Sequence, residues 1–116
     1  MPVGVSVIDL NKKITSINKT EEVLFRISKE EAIGKVLYSE YLPSLKDRMG
    51  LPLAKALKKG ESMQELNVAY AEKSGTERVL DIYISPLIEN GEITGAVIAT
   101  RDATDKRRLN CILPGL

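Results

Sequence analysis

The chain has 116 residues, 43% apolar and 28% charged, which suits one globular domain and excludes a disordered tract or two separate cores. Its 17 Lys and Arg against 16 Asp and Glu leave a formal net charge of +1, so no overall field implies nucleic acid or an anionic bilayer as a partner. With no histidine and one cysteine, Cys111 near the C-terminus, Ser-His and Cys-His nucleophiles, an intrachain disulfide and a thiolate metal cluster are excluded.

Val3, Val5 and Val7 alternate with Gly4 and Ser6, predicting a half-buried strand to about Ile8. Turn formers follow in Asp9-Leu10-Asn11-Lys12, and a β-branched run from Ile14 to Ile17 completes a hairpin. Asn18, with Glu21 three residues on and then Val23, Leu24 and Phe25, caps a short helix. Ser28-Lys29-Glu30-Glu31 is an S-x-x-E capping box for a second, with Gly34 as its left-handed stop. No period is sustained over residues 37–50, where a loop with a helical turn is expected. Pro52 fits the first turn of the next helix, in which Leu53, Ala56 and Leu57 form an apolar stripe against Lys55, Lys58 and Lys59 before Gly60 ends it.

After Gly60 the period returns to 2. Leu66, Val68 and Tyr70 share one face, Lys73-Ser74-Gly75 turns, and Leu80, Ile82 and Ile84 share a face of a longer strand that Pro86 ends or bulges. Asn90-Gly91 is a hairpin dipeptide because both residues tolerate positive φ, and Ile93 to Thr100 supplies the last strand. Asp102-Ala103-Thr104-Asp105 offers acceptors to the first turn of a helix at Lys106, cut short by Pro114-Gly115. The order β-β-α-α-α-β-β-β, without repeat or linker, predicts an α+β domain with an antiparallel sheet and helices on one face.

Taken in order, these landmarks resemble the PAS domain family from about Val3 to Asp105. The run Gly4-Val5-Ser6-Val7-Ile8-Asp9 and then Ile14-Thr15-Ser16-Ile17-Asn18 is similar to the family's opening hairpin, with Asn18 at the usual asparagine. Residues 22–35, ending in Gly34-Lys35, resemble its helical stretch with a Gly-Lys or Gly-Arg step. Ile84-Ser85-Pro86-Leu87, Gly91-Glu92-Ile93-Thr94-Gly95 and Arg101-Asp102-Ala103-Thr104-Asp105 resemble the closing strands and the Asp-x-Thr exit motif.

The resemblance implies a five-stranded antiparallel sheet with short helices packed on one face. It makes residues 1–105 a sensor domain and residues 106–116 the truncated start of a C-terminal signalling helix or linker. The implied role is a cytoplasmic sensor or dimerisation domain of a prokaryotic signal-transduction protein, foremost a sensor histidine kinase, whose parent is free to be membrane-anchored. Implied partners are a second copy of the chain, a C-terminal output domain and a small-molecule ligand. Asp102 and Thr104 would relay the signal at the exit, while Asn18, Gly34, Pro86 and Gly95 would be structural. The alternative is a ligand-free PAS-fold interaction domain of a transcriptional regulator; a small enzyme would need a convergent acid, base or nucleophile set, which is missing.

Departures narrow these implications. Without histidine the histidine-ligated haem of some relatives is excluded, and without a core cysteine so is flavin-thiol photochemistry. One Phe, four Tyr and no Trp leave few rings to sandwich a flavin, so no cofactor is the leading expectation, with a small-molecule ligand or flavin left open. Leu53, Leu57, Tyr70, Tyr83 and Ile98 are the candidates for a pocket between helix and sheet, although plain core packing is the favoured reading of such stripes. Asp102 and Thr104 would serve equally as an ordinary helix cap. Glu21-Glu22 and Glu30-Glu31 sit in helix first turns and point about 100° apart, which suits capping rather than acid-base work. Lys58-Lys59 and Lys106-Arg107-Arg108 read as solvated surface, and Cys111 as a free thiol. No apolar run approaches the roughly 20 residues of a membrane span, and no secretory signal precedes the first strand.

Overall fold

The computed structural model describes residues 3–72 and 74–104. Strands β1 (Gly4–Asp9) and β2 (Ile14–Ile17) are followed by helices α1 (Lys19–Phe25) and α2 (Lys29–Ala32), a 3-10 turn (Pro43–Leu45) and helix α3 (Lys46–Lys59). Strands β3 (Met63–Ala71), β4 (Glu77–Glu89) and β5 (Glu92–Asp102) close the chain of elements. The five strands form one antiparallel sheet in the order β2-β1-β5-β4-β3, so the helices cross over one face from edge to edge.

Strand alternation decides which face is covered. Ile8, Leu80, Ile82, Ile84, Ala96 and Ile98 point inward, at most 2% exposed, and meet Leu45, Met49, Leu53 and Ala56 from the helical side. Each of the Ile, Leu and Met side chains among them contributes about 2 kcal/mol of transfer free energy. Asn18 fixes how α1 leaves the sheet. Its side-chain oxygen accepts the Glu21 N–H at 2.9 Å and the Val5 N–H at 3.0 Å, and its amide donates to the Val3 carbonyl at 3.0 Å. Ser28 caps α2 through the Glu31 N–H, Gly34 turns left-handed (φ 87°) just beyond it, and Asn90 and Gly91 both take positive φ in the β4–β5 turn.

Four local expectations are corrected. Helix α3 begins at Lys46, so Pro52 lies inside it rather than in its first turn. The apolar period Leu45, Met49, Leu53 runs through Pro52, and burial of this stripe outweighs the helical hydrogen bond that a proline cannot give. Leu66 does not share the Val68 face: the register shifts between Glu65 and Val68, Asn67 turns to φ 55°, and Leu66 is left 42% exposed. Strand β4 does not end at Pro86, which pairs with Ala96; the shift comes later, between Leu87 and Ile88. Because β3 pairs with β4 only as far as Ile84, the missing N–H falls where β4 has one neighbour. The fourth correction, at Tyr83, concerns the site below.

Gly95 needs to be glycine for closeness rather than for φ. A Cβ there would lie inside the van der Waals radius of the Ile8 carbonyl oxygen, across the β1–β5 pairing. The expected helix from Lys106, the domain boundary at 105 and Cys111 lie outside the described residues. Among the described residues no helix is long and apolar enough to cross a membrane.

Candidate functional site

A groove of about 380 Å³ opens between the end of α1, α2, the segment around Tyr41 and the edge strand β3. Its floor is aromatic: Phe25 stands edge-on to Tyr70, centroids 5.4 Å apart, and to Tyr41 at 6.3 Å. Ile27, Leu42 and Pro43 add apolar wall, while Arg26, Lys35, Glu31, Glu40 and Glu72 form a charged rim. The backbone around it is strained. Arg26 (φ 52°), Tyr38 (φ 62°) and Leu42 (φ 56°) are all left-handed without being glycine, at about 1 kcal/mol each, and such residues cluster at functional sites.

Behind Tyr41 lies a buried acid. Three residues after its cap, Glu21 faces β1 from the first turn of α1 and is 1% exposed. The Tyr41 hydroxyl donates to Glu21 Oε2 at 2.7 Å, whereas Oε1 has no hydrogen-bond partner among the described residues. A Cβ on Gly4 would approach Oε1 to 2.6 Å, so the glycine makes room for the carboxyl group. Burial pushes Glu21 up to about 7, against which the Tyr41 hydrogen bond only partly acts. Burial, reinforced by the Glu21 charge, also raises Tyr38 and Tyr41, so both phenols stay protonated donors.

The exit of β5 forms a clasp. Asp102 Oδ1 accepts the Thr104 N–H at 2.9 Å and its hydroxyl at 2.5 Å; Thr104 Oγ1 in turn accepts the Val79 N–H at 3.0 Å. The Ala103 N–H donates to the Val79 carbonyl at 2.7 Å. Arg78 joins this clasp to the groove. Its Nη1 lies 3.4 Å from Asp102 Oδ2 and donates to the Leu24 carbonyl near the end of α1 at 3.2 Å, and its Nε lies 2.6 Å from Glu72 Oε1. Glu72 is itself a groove residue. All three charged side chains are largely shielded, so the network is worth more than isolated surface pairs.

The residues expected at a site separate into groups. Asp102 and Thr104 are in direct contact, and Tyr70 lines the groove. Leu53 and Ile98 belong to the filled core and Leu57 packs at its margin; none of the three lines the groove. Tyr83 does not face them. Leu80, Ile82 and Ile84 point to the helices, so Tyr83 points to the opposite sheet face, as does the buried Asp81, whose partner there is Arg101. Phe25, Tyr41, Glu72 and Arg78 escaped the sequence reading, and Glu21, expected to serve as a capping residue, is instead the buried acid behind Tyr41. For Glu21 the spacing from Asn18 was a usable signal; for Arg78 nothing short of the β3–β4 register shows that it stands opposite Tyr70. Among the described residues no cluster of His, Cys, Asp and Glu is placed to hold a metal ion.

The sheet order, the helices inserted between β2 and β3, and the Asp-x-Thr clasp together define a sensory α+β module of the PAS type. The chain belongs to the PAS family: the family model described as the PAS fold matches residues 1–108. PAS domains are sensory and signalling modules that are themselves non-catalytic. The chain is similar to the PAS domain of a protein from Colwellia psychrerythraea, at 25% identity and TM-score 0.72, covering 89% of this chain and 87% of that one. It is similar to the PAS domain of histidine kinase ThkA, at 23% identity and TM-score 0.71, covering 88% of this chain and 100% of that one. Vibrio cholerae VqmA, solved with ligand and DNA, matches at 18% identity and TM-score 0.77 over 90% of this chain and 48% of that one. No curated protein matches the chain.

Proposed function

We propose that this PAS domain is the cytoplasmic input module of a prokaryotic signalling protein, reading a small molecule in the groove and relaying its presence through Asp102 and Thr104. The observation that carries this reading is Arg78, which touches Glu72 at the groove and Asp102 at the exit. A ligand that moves Glu72 changes the competition for one guanidinium, and so changes how firmly Asp102 holds Thr104, two residues beyond the end of β5. Such a device shifts an equilibrium only by the ligand's differential affinity for the two arrangements.

An output domain after residue 105 fits this arrangement, and the likeness to the ThkA domain favours a sensor histidine kinase. The VqmA structures, one of them described as bound to DPO, favour a small-molecule input. Pairing with a second copy belongs to the same reading. The filled interior around Leu53 and Ile98 favours one rival, a ligand-free interaction domain of a transcriptional regulator. The test is Asp102→Ala in the signalling protein that carries the domain. Its output is expected to stop following the signal; an unchanged response at normal protein level overturns the relay.

A further inference from the structure

We propose that the groove takes a small planar aromatic anion, an aryl carboxylate in class, with its ring against Phe25, Tyr41 and Tyr70 and its carboxylate held by Arg26 and Lys35. The inference rests on the groove being the input site and deepens that reading by naming what the site selects.

Charge commitment decides the sign of the ligand. Each carboxylate on the groove already serves a protein group: Glu72 holds Arg78, Glu40 accepts the Val36 N–H at 2.9 Å, and Glu31 accepts the Ser28 hydroxyl at 3.1 Å. Arg26 and Lys35 line the same groove, yet neither side chain makes a hydrogen bond or ion pair among the described residues. A cationic ligand would meet two cations with no partner among the described residues, and only acids that already accept a hydrogen bond from the protein. An anion meets two donors of charge-assisted hydrogen bonds, the strong kind. The floor decides the shape. Phe25 is edge-on to both tyrosines, an arrangement that a planar ring extends by stacking or by a further edge contact, and the volume lies in the range of small-molecule sites.

The choice of an anion also explains how occupancy would be felt. A carboxylate seated beside Arg26 adds negative charge next to Glu72, because both residues line the same groove and its small side recess. Repulsion then loosens Glu72 from Arg78, and Arg78 is freed for Asp102.

The experiment is titration of the 116-residue chain, by NMR or calorimetry, with phenylacetate, its neutral isostere phenylacetamide and the cation phenethylamine. Phenylacetate is expected to bind saturably, at least tenfold tighter than either of the others. Arg26→Gln and Lys35→Gln are each expected to weaken it about tenfold, the loss of one charge-assisted hydrogen bond. Absence of saturable phenylacetate binding overturns the proposal, as does equal binding of the amide or amine, or unchanged affinity in both variants. The three-ligand comparison on the unaltered chain holds even if a variant misfolds. A failure here with the Glu72–Thr104 coupling intact, measured as below, removes the ligand class and leaves the relay standing.

Discussion

Raising the pH from about 5 to about 8 is expected to destabilise this domain by about 3 kcal/mol, and Glu21→Gln is expected to abolish that fall. The ordinary value of 4.5 rises to about 7 at Glu21, chiefly because the folded chain takes the carboxyl group out of water. Below 4.5 the folded and unfolded chains both hold the proton, and the group adds no pH dependence. Between the two values the unfolded chain releases the proton while the folded chain keeps it, so stability falls as pH rises. Above about 7 the folded chain bears a buried carboxylate with one oxygen unpartnered among the described residues, and the full cost is present. A glutamine keeps the shape and an acceptor for the Tyr41 hydroxyl, but has no charge to bury. Thermal melts across this range check it: the melting temperature of the unaltered chain should drop by about 10 °C and that of the variant should stay level. Parallel slopes would contradict the assignment.

Gly95→Ala is expected to cost about 3 kcal/mol or more, although its chemistry is a single methyl group. The added Cβ meets the Ile8 carbonyl oxygen, with the Ile8 carbonyl carbon at 3.2 Å and the Asp9 Cα at 3.3 Å. All three are backbone atoms of a paired strand, so no rotamer change relieves the clash, and β1 must part from β5 at the Asp9–Gly95 end. Gly34→Ala is the control. Nothing lies within 4 Å of its Cβ position, and the only cost is the positive φ of 87°, about 1 kcal/mol. Urea unfolding midpoints separate the two variants, and a Gly95→Ala midpoint equal to that of Gly34→Ala would contradict the close approach.

What was legible in the sequence follows from the range of the forces involved. Caps act within one turn, so Asn18, Ser28 and Gly60 marked their helices correctly, and Asn90-Gly91 marked its hairpin from two residues. The inward face of β4, Leu80, Ile82 and Ile84, was legible because alternation is local too. Period arguments failed where one residue breaks the count: the irregularity at Asn67 turned Leu66 outward, and one step of phase separates Tyr83 from the Ile82 face. Helix α3 starts earlier than the sequence suggests because Pro52 fits a first turn, while the Leu45–Met49–Leu53 stripe runs straight through it. The exit motif was found at Asp102 and Thr104, but its partners were not. Arg78 reaches Leu24, Glu72 and Asp102 from three different elements, and no spacing along the chain encodes that convergence.

The central claim is that groove and exit are one connected unit through Arg78. The most direct measurement is the backbone amide spectrum and hydrogen exchange of Thr104 in the unaltered chain and in Glu72→Gln. Glu72 makes no hydrogen bond with Thr104 or Asp102 among the described residues, while the Thr104 N–H donates to Asp102 Oδ1. Loss of the Glu72 charge is predicted to shift the Thr104 resonance and change its exchange rate, and Arg78→Gln is predicted to remove the response. Changes confined to Ser74, Thr76 and Arg78, the neighbours of Glu72 in the β3–β4 turn, with Thr104 unmoved, would contradict the account.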